Sequence, residues 1–242
     1  MVRDAVRQEL VRDQLSSHLP TARPPLRVLD AGCGQGTQAI ALARLGHEVV
    51  GLDLSDAILS RARNAAASES EAVRQRLTFE LGDVLALGNE QGDYDLVCCH
   101  GVAMYLPSLD DTVCALVAAA RPGGIISLLT RNRAGIAMRT GMTGLWSEAL
   151  EAFDARTYGN RLGIDSVRAD EPTEVQAALR VAGATTMAWY GVRLFTDHWG
   201  QEYPGSDFGD ILAAEKEAGR RDPFRQLAAL THTIARVEEI RH

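Results

Sequence analysis

The run Val28-Leu29-Asp30-Ala31-Gly32-Cys33-Gly34-Gln35-Gly36 constrains this chain more than any other, because an apolar strand passes there into a loop with glycine at every second position. Thr37 to Leu45 continues at helical spacing. Glycine tolerates left-handed backbone and lets the main chain approach a ligand closely. Such a loop at the C-terminal end of a strand can therefore wrap a nucleoside-bearing ligand against a helix N-terminus. A strand-to-helix turn without a ligand is the competing reading.

Two carboxylates favour the ligand. Asp53 closes the next apolar run, Val49-Val50-Gly51-Leu52, about 20 residues after the first glycine, where an acid meets a ribose diol in dinucleotide folds. Asp30 stands two residues before the glycines and would repel a pyrophosphate, yet it suits a ligand that carries an ammonium and a sulfonium. The expected cofactor is S-adenosyl-L-methionine, with S-adenosyl-L-homocysteine as product, in preference to NAD.

The rest of the chain supplies a frame for that loop. Met1 to Leu19 places Val6, Leu10, Val11, Leu15 and Leu19 on one helical face, and the prolines at 20, 24 and 25 end the helix before a first strand at Leu26–Leu29. Further strands are expected at 48–52, 77–81, 94–99 and 125–129. Helices are expected at 56–67, capped by Ser55, and at 109–120, and Arg121-Pro122-Gly123-Gly124 reads as a turn. This alternation implies a doubly wound, mostly parallel sheet with right-handed crossovers.

From Arg131 to Asp170 the pattern breaks, and the segment is too long for an ordinary connection. It reads as a partly helical insertion over the ligand edge. A helix at 171–182 and a strand at 185–195 follow, then helices at about 207–218 and 223–230. An antiparallel last strand is expected at 231–237, with a helix running on to Ile240 as its competitor. The expected organisation is one domain over 1–242. It consists of a leading helix (1–20), a cofactor-binding core (26–130), an insertion or substrate lobe (131–170), and a C-terminal part (171–242) that completes a seven-stranded sheet.

Charge and cysteines narrow the function classes. A net charge of −7 argues against a uniformly basic nucleic-acid binder, although a local patch of arginine, nearly the sole basic residue type, is compatible with it. Cys33, Cys98, Cys99 and Cys114 lack metal-ligand spacing and read as reduced thiols, so no metal is expected. The charged N-terminus has no apolar leader, and no apolar run approaches the roughly 20 residues of a membrane span. A cytoplasmic enzyme with no membrane partner is the expectation.

The motif Asp30-Ala31-Gly32-Cys33-Gly34-Gln35-Gly36, with Asp53, Gly82-Asp83 and Arg121-Pro122-Gly123-Gly124, resembles that of class I S-adenosylmethionine-dependent methyltransferases. Several further segments are similar to the bacterial tRNA 5-carboxymethoxyuridine carboxyl-O-methyltransferase family. They are Val6-Arg7-Gln8, Gly46-His47-Glu48-Val49, His100-Gly101-Val102, Asn132 with Gly135, and Tyr190 to Asp197. The resemblance implies a Rossmann-like methyltransferase fold. It implies that Arg7 holds the methionine carboxylate, Gly32 and Cys33 the methionyl backbone, Asp53 the ribose and Gly82 with Asp83 the adenine, with His100 beside the sulfonium. Asp30, Gly34, Gly36 and Leu54 complete the expected cofactor set. In that family a short arm ahead of the leading helix covers the cofactor; here Arg7 is nearly terminal. Where some relatives are strongly basic, residues 155–172 interleave Arg156, Arg161 and Arg168 with Asp165, Asp170 and Glu171.

For the acceptor, Tyr105, Arg131, Asn132 and Arg193 are the substrate candidates. Tyr105, Trp146, Tyr158 and Trp189 could stack on a base, or simply pack. Arg121, Arg131, Arg133, Arg139 and Arg193 could line one rim as guanidinium forks for phosphate or carboxylate, or be solvated charge. His100 is the candidate general base, against a purely positioning contact. A carboxylate acceptor needs no base, being ionised at neutral pH. Three readings follow: methylation of a tRNA carboxylate, O-methylation of a small molecule, or non-catalytic cofactor binding.

Overall fold

Val28, Leu29 and Ala31 are buried although successive side chains point to opposite faces, so the strand they form is covered on both. That strand, β1 (Arg27–Ala31), pairs in parallel with β2 (Glu48–Asp53) on one side and with β4 (Tyr94–His100) on the other. β3 (Leu77–Leu81) adds in parallel beyond β2. The structure, a computed structural model, describes residues 2–19, 25–89, 92–159, 166–199 and 207–239. The expectations that rest on Pro20, Pro24, Arg161, Asp165 and Ile240 lie outside the described residues.

The other elements are α1 (Val2–Ser16), α2 (Thr37–Arg44), α3 (Asp56–Ala67), a single turn α4 (Glu71–Arg74), α5 (Leu109–Ala119) and β5 (Ala120–Arg131). Then come α6 (Ala134–Met142), α7 (Trp146–Ala152), β6 (Thr157–Tyr158), β7 (Val167–Arg168), α8 (Pro172–Val181), β8 (Ala184–Val192), α9 (Phe208–Arg220) and β9 (Leu230–Val237). Seven strands make one sheet in the order β3-β2-β1-β4-β5-β9-β8, mostly parallel with one antiparallel strand, and β6 and β7 pair separately as an antiparallel ribbon. The expected doubly wound sheet is therefore present. The last segment is strand, because Thr231, His232, Thr233 and Ile234 are all buried, which suits an interior strand.

Two expectations need correction. The turn at Arg121-Pro122-Gly123-Gly124 is drawn into β5, because α5 ends at Ala120 in extended backbone and Arg236 donates to the Gly123 carbonyl at 3.1 Å; only Gly123, at φ 74°, keeps turn geometry. The helix expected at 223–230 shrinks to a 3-10 turn, Phe224–Leu227, because Ala228 leaves it extended and the chain enters β9 at Leu230.

The chain divides into two units. One comprises residues 20–128, 176–187 and 234–242 and holds the glycine loop; the other comprises 1–19, 129–175 and 188–233. Within the second, α1 lies against α9: Leu10 and Leu15 are buried, Lys216 and Arg220 both reach Asp13, and Gln14 meets the buried His232 at 2.8 Å. His18 bonds the Tyr190 hydroxyl at 2.8 Å. These contacts give His18 and His232 structural roles, and His47 has one in the other unit, where its Nδ1 accepts from Leu26 N at 3.2 Å. Among the described residues no helix is long and apolar enough to cross a membrane, and no metal-binding cluster is found.

Candidate functional site

In the glycine-loop unit, β1 ends at Ala31 and the chain turns through Gly32, Gly34 and Gly36 at φ 77°, 55° and 79°, all left-handed. The turn is anchored by Gly32 N and Cys33 N, which donate to the Leu52 carbonyl at 2.8 and 2.9 Å. Gly36 is the N-cap of α2 and has no side chain to offer, while Asp30 accepts from Ala39 N in the first turn of that helix. A Cβ on Gly32 would strike the Val102 side chain at 2.3 Å, whereas one on Gly34 would meet nothing within 4 Å. The loop is thus pressed against protein at its start and open at its middle.

Asp53 ends β2 with its carboxylate aimed at the loop. Oδ2 accepts from Gly34 N at 2.9 Å and Oδ1 from Ser55 N at 3.0 Å, while Ser55 caps α3. Leu54 is 74% exposed beside it. Gly82 N donates to the Asp53 carbonyl at 3.0 Å, and Asp83 accepts from Leu85 N at 2.9 Å after β3. The ends of β1, β2 and β3 therefore gather Asp30, Gly32, Cys33, Gly34, Gly36, Asp53, Leu54, Gly82 and Asp83. His100 closes β4, and its Nε2 lies 2.8 Å from Ser127 Oγ on β5, so that nitrogen is held within the sheet. Tyr105, 41% exposed, ends the 3-10 turn Ala103–Tyr105 after β4.

Asp30 is the electrostatic anomaly. It is 2% exposed, its Oδ2 has no hydrogen-bond partner, and burial, reinforced by the charge of Asp53, pushes its pKa up to about 7. Burial also drives Cys33 up to about 12 and Cys98 well above the ordinary range, so these thiols stay protonated.

Between the ordinary carboxylate pKa and about 7, the folded chain holds a proton on Asp30 that the unfolded chain has lost. Stability of the ligand-free protein should accordingly fall as pH rises through that window. A cationic ligand beside Asp30 reverses the balance, so its binding near pH 6.5 is expected to release up to about one proton and to strengthen towards pH 8. Calorimetric titration with S-adenosylmethionine in buffers of different ionisation enthalpy checks this. Heats that do not depend on the buffer would remove Asp30 from the site.

The second unit gathers arginines. Arg131 ends β5, Arg139 lies on α6 and Arg193 follows β8, and all three form ion pairs with Asp197 at 3.3, 3.2 and 3.0 Å. Arg139 also donates to the Asp197 carbonyl at 2.6 Å, and Arg3 of α1 reaches the same carbonyl at 3.5 Å. Burial would raise the Asp197 carboxyl, but Arg131, Arg193 and Arg139 together hold it below the usual range. Burial lowers Arg193 to about 10, opposed by Asp197 and assisted by the charges of Arg131, Arg3 and Arg7. Arg193 is the only non-glycine residue with positive φ, 61°, among the described residues. Glu215 of α9, 1% exposed, fixes the segment behind it by accepting from Leu194 N, Phe195 N, Thr196 N and Thr196 Oγ1 at 2.7–3.1 Å.

The expected rim of five arginines is corrected by this geometry. Arg121 pairs with Asp95 near the start of β4, and Arg133 pairs with Glu171 at 2.8 Å, so neither joins Asp197. Asn132 spends its side-chain amide on the carbonyls of Gln226 and Ala228, at 2.8 and 2.7 Å, and serves as a fastener for the entry to β9. Tyr158 lies under the Arg131 guanidinium at 4.9 Å and Trp189 under Arg225 at 3.9 Å, whereas Trp146 is 71% exposed. Sequence reasoning missed Arg3, Glu215 and the central place of Asp197. Only the four-residue spacing of Arg193 and Asp197 hinted at the last.

A family model described as a methyltransferase domain matches residues 28–124, the span of the glycine loop and of β1 to β4. The tRNA 5-carboxymethoxyuridine methyltransferase of Escherichia coli is 30% identical over 96% of this chain and 88% of its own length. The chain belongs to the S-adenosylmethionine-dependent methyltransferases. This methyltransferase is also 36% identical to the ubiquinone biosynthesis O-methyltransferase of Bordetella avium, but over only 44% of this chain and 43% of that one. An S-adenosylmethionine-dependent methyltransferase structure from Mesorhizobium loti shares the fold with a TM-score of 0.62 at 19% identity, covering 98% of this chain and all of that one. The methyltransferase is an enzyme, and its cofactor is S-adenosylmethionine.

Proposed function

We propose that this methyltransferase methylates a carboxylate oxygen, that of a 5-carboxymethoxy group on a tRNA wobble uridine, in the cytoplasm. The observation that carries the reading is the 30% identity to the Escherichia coli tRNA enzyme, which runs through 96% of the chain and so includes the acceptor-side segments as well as the cofactor motif.

The residues present fit the cofactor. The buried, unpartnered Oδ2 of Asp30 suits the methionyl ammonium and sulfonium, and the space beside Gly34 admits a ligand against bare backbone. Asp53 retains acceptor capacity for the ribose hydroxyls after its two backbone bonds, with Leu54 and the Gly82-Asp83 segment flanking the adenosine. Bound there, the cofactor supplies an electrophilic methyl group on a positively charged sulfur.

Catalysis by the chain is then orientation. A carboxylate is ionised at neutral pH, so one of its oxygen lone pairs forms the new O–C bond as the C–S bond breaks, and no proton moves. His100, whose Nε2 is engaged by Ser127, suits a positioning role, because a carboxylate acceptor has no proton to give up. A phenol or alcohol acceptor would demand a base instead.

Incubation with labelled S-adenosylmethionine and total tRNA, followed by nucleoside analysis, tests the reading. Label in a carboxymethoxyuridine ester is expected. Label confined to small molecules in a metabolite extract would replace this reading with the metabolite one, which the ion pairs Arg156–Glu174 and Arg168–Asp170 favour by neutralising the interrupted basic stretch. A steep loss of affinity with salt would accompany tRNA binding.

Replacing Asp53 by alanine should weaken S-adenosylhomocysteine about tenfold to a hundredfold, because a charge-assisted pair to the ribose is lost together with the anchor on Gly34 N. Calorimetry checks this, and unchanged affinity would exclude Asp53 from the site.

A further inference from the structure

Guanidinium groups outnumber carboxylates wherever one looks around Asp197. Arg131, Arg139 and Arg193 share that single side chain, Arg3 holds its carbonyl, and Arg7 lies close enough for its charge to act on Arg193. The Nε atoms of Arg3, Arg7, Arg131 and Arg193 are buried without a hydrogen-bond partner. Buried donors are nearly always satisfied, and uncompensated buried charge is costly, so a cluster left in this condition calls for an incoming anion.

The cluster is also built to stay in place. Arg193 is held in left-handed backbone, a conformation a non-glycine residue keeps only where its surroundings enforce it. Glu215 locks the three residues that follow it. Arg131 is braced by the Tyr158 ring and by the Gly135 carbonyl at 3.3 Å. A narrow cleft lined by Met138, Arg139, Met142, Arg193, Asp197 and His198 reaches two of the pairing arginines, Arg139 and Arg193, and its methionine walls strengthen a charge interaction at its mouth.

We infer that Arg3, Arg131, Arg139 and Arg193 form an oxyanion-binding site, taking a carboxylate or a phosphate, in which Asp197 is an internal counter-charge that organises the guanidiniums and only partly neutralises them. The site explains why an anionic acceptor would be selected over a neutral one: a neutral group would leave the surplus charge and the unpaired donors as they are. The preference for a carboxylate rests on the proposed reaction. The existence of the site does not.

Calorimetric titration of the full chain at constant ionic strength, with sodium methoxyacetate as the carboxylate probe and inorganic phosphate as the other, tests the inference without any methyl transfer. Saturable binding of at least one probe is expected. Tighter methoxyacetate binding marks the site as one for a carboxylate, and tighter phosphate binding marks it as one for a phosphate.

Arg139→Gln, on the more exposed of the three pairing arginines, should weaken the probe about tenfold to a hundredfold. Asp197→Asn, removing the counter-charge, should tighten it about tenfold. Absence of saturable binding by the wild type would overturn the inference, whatever the variants do. So would probe affinity unchanged in a folded Arg139→Gln protein, or equal or weaker affinity in a folded Asp197→Asn protein. Esterified tRNA with no probe binding would sink the site and spare the reaction; probe binding with no tRNA product would do the opposite.

Discussion

Gly32→Ala is expected to lower stability by about 2–4 kcal/mol and to abolish measurable cofactor binding. The new methyl would lie 2.3 Å from Val102 Cγ2 and 2.8 Å from its Cβ and Cγ1, at a φ of 77°. Left-handed backbone alone costs a non-glycine residue about 1 kcal/mol, and forcing a packed contact adds about 1–3 kcal/mol. Relief by moving Val102 would displace the segment directly after His100.

Gly34→Ala provides the contrast. It carries the same backbone penalty at φ 55° but no clash within 4 Å, so its cost should stay near 1 kcal/mol. Its methyl would, however, project into the space proposed for the ligand. Chemical denaturation and titration with S-adenosylhomocysteine, run on both variants, separate the two effects. Equal destabilisation of the pair, or wild-type affinity in Gly34→Ala, would contradict the geometry.

Glu215→Ala should be the most damaging single change in the second unit, at about 3–5 kcal/mol, since it leaves two buried amides, a part-buried one and a buried threonine hydroxyl without an acceptor. The loss should spread, because the 194–196 segment joins Arg193 to Asp197. Hydrogen exchange at the amides of 194–196 is the sharpest reading. Protection there should collapse in Glu215→Ala and survive in part in Glu215→Gln, whose amide oxygen still accepts. Slow exchange in the alanine variant would mean that some other group holds the segment.

The glycine-loop half of the fold was legible in the sequence because its determinants are local. Asp30, the three glycines and Asp53 sit at strand ends, and the period of the apolar runs gives those ends to within a residue or two: β3 and α3 fall where the pattern puts them. The arginine cluster was legible only in fragments. Arg131, Arg139 and Arg193 could be singled out by type, but nothing in their spacing selects them over Arg121 and Arg133, which the fold sends to Asp95 and Glu171. Selection depends on contacts between residues as far apart as Arg3 and Asp197, which periodicity does not encode. Glu215 was invisible for the opposite reason, since a glutamate amid helical charges ordinarily faces water. Asn132 was a substrate candidate through the family likeness, and its duty to two carbonyls emerges only once the entry to β9 is seen beside it.

The hydrogen bond that His232 Nδ1 donates to Gln14 Oε1 spans 218 positions of the chain and has a bearing on biosynthesis. α1 is made well before α9 and β9, the elements it packs and bonds with, so the helix must wait as an exposed amphipathic segment until they are translated. Parallel strands β1 to β4 suffer no such delay, because each finds its partner within the first hundred or so residues. Nascent chains released before Asp197 should therefore display arginines that have no counter-charge, a state inclined to stick to ribosomal RNA and one that quality control has reason to remove.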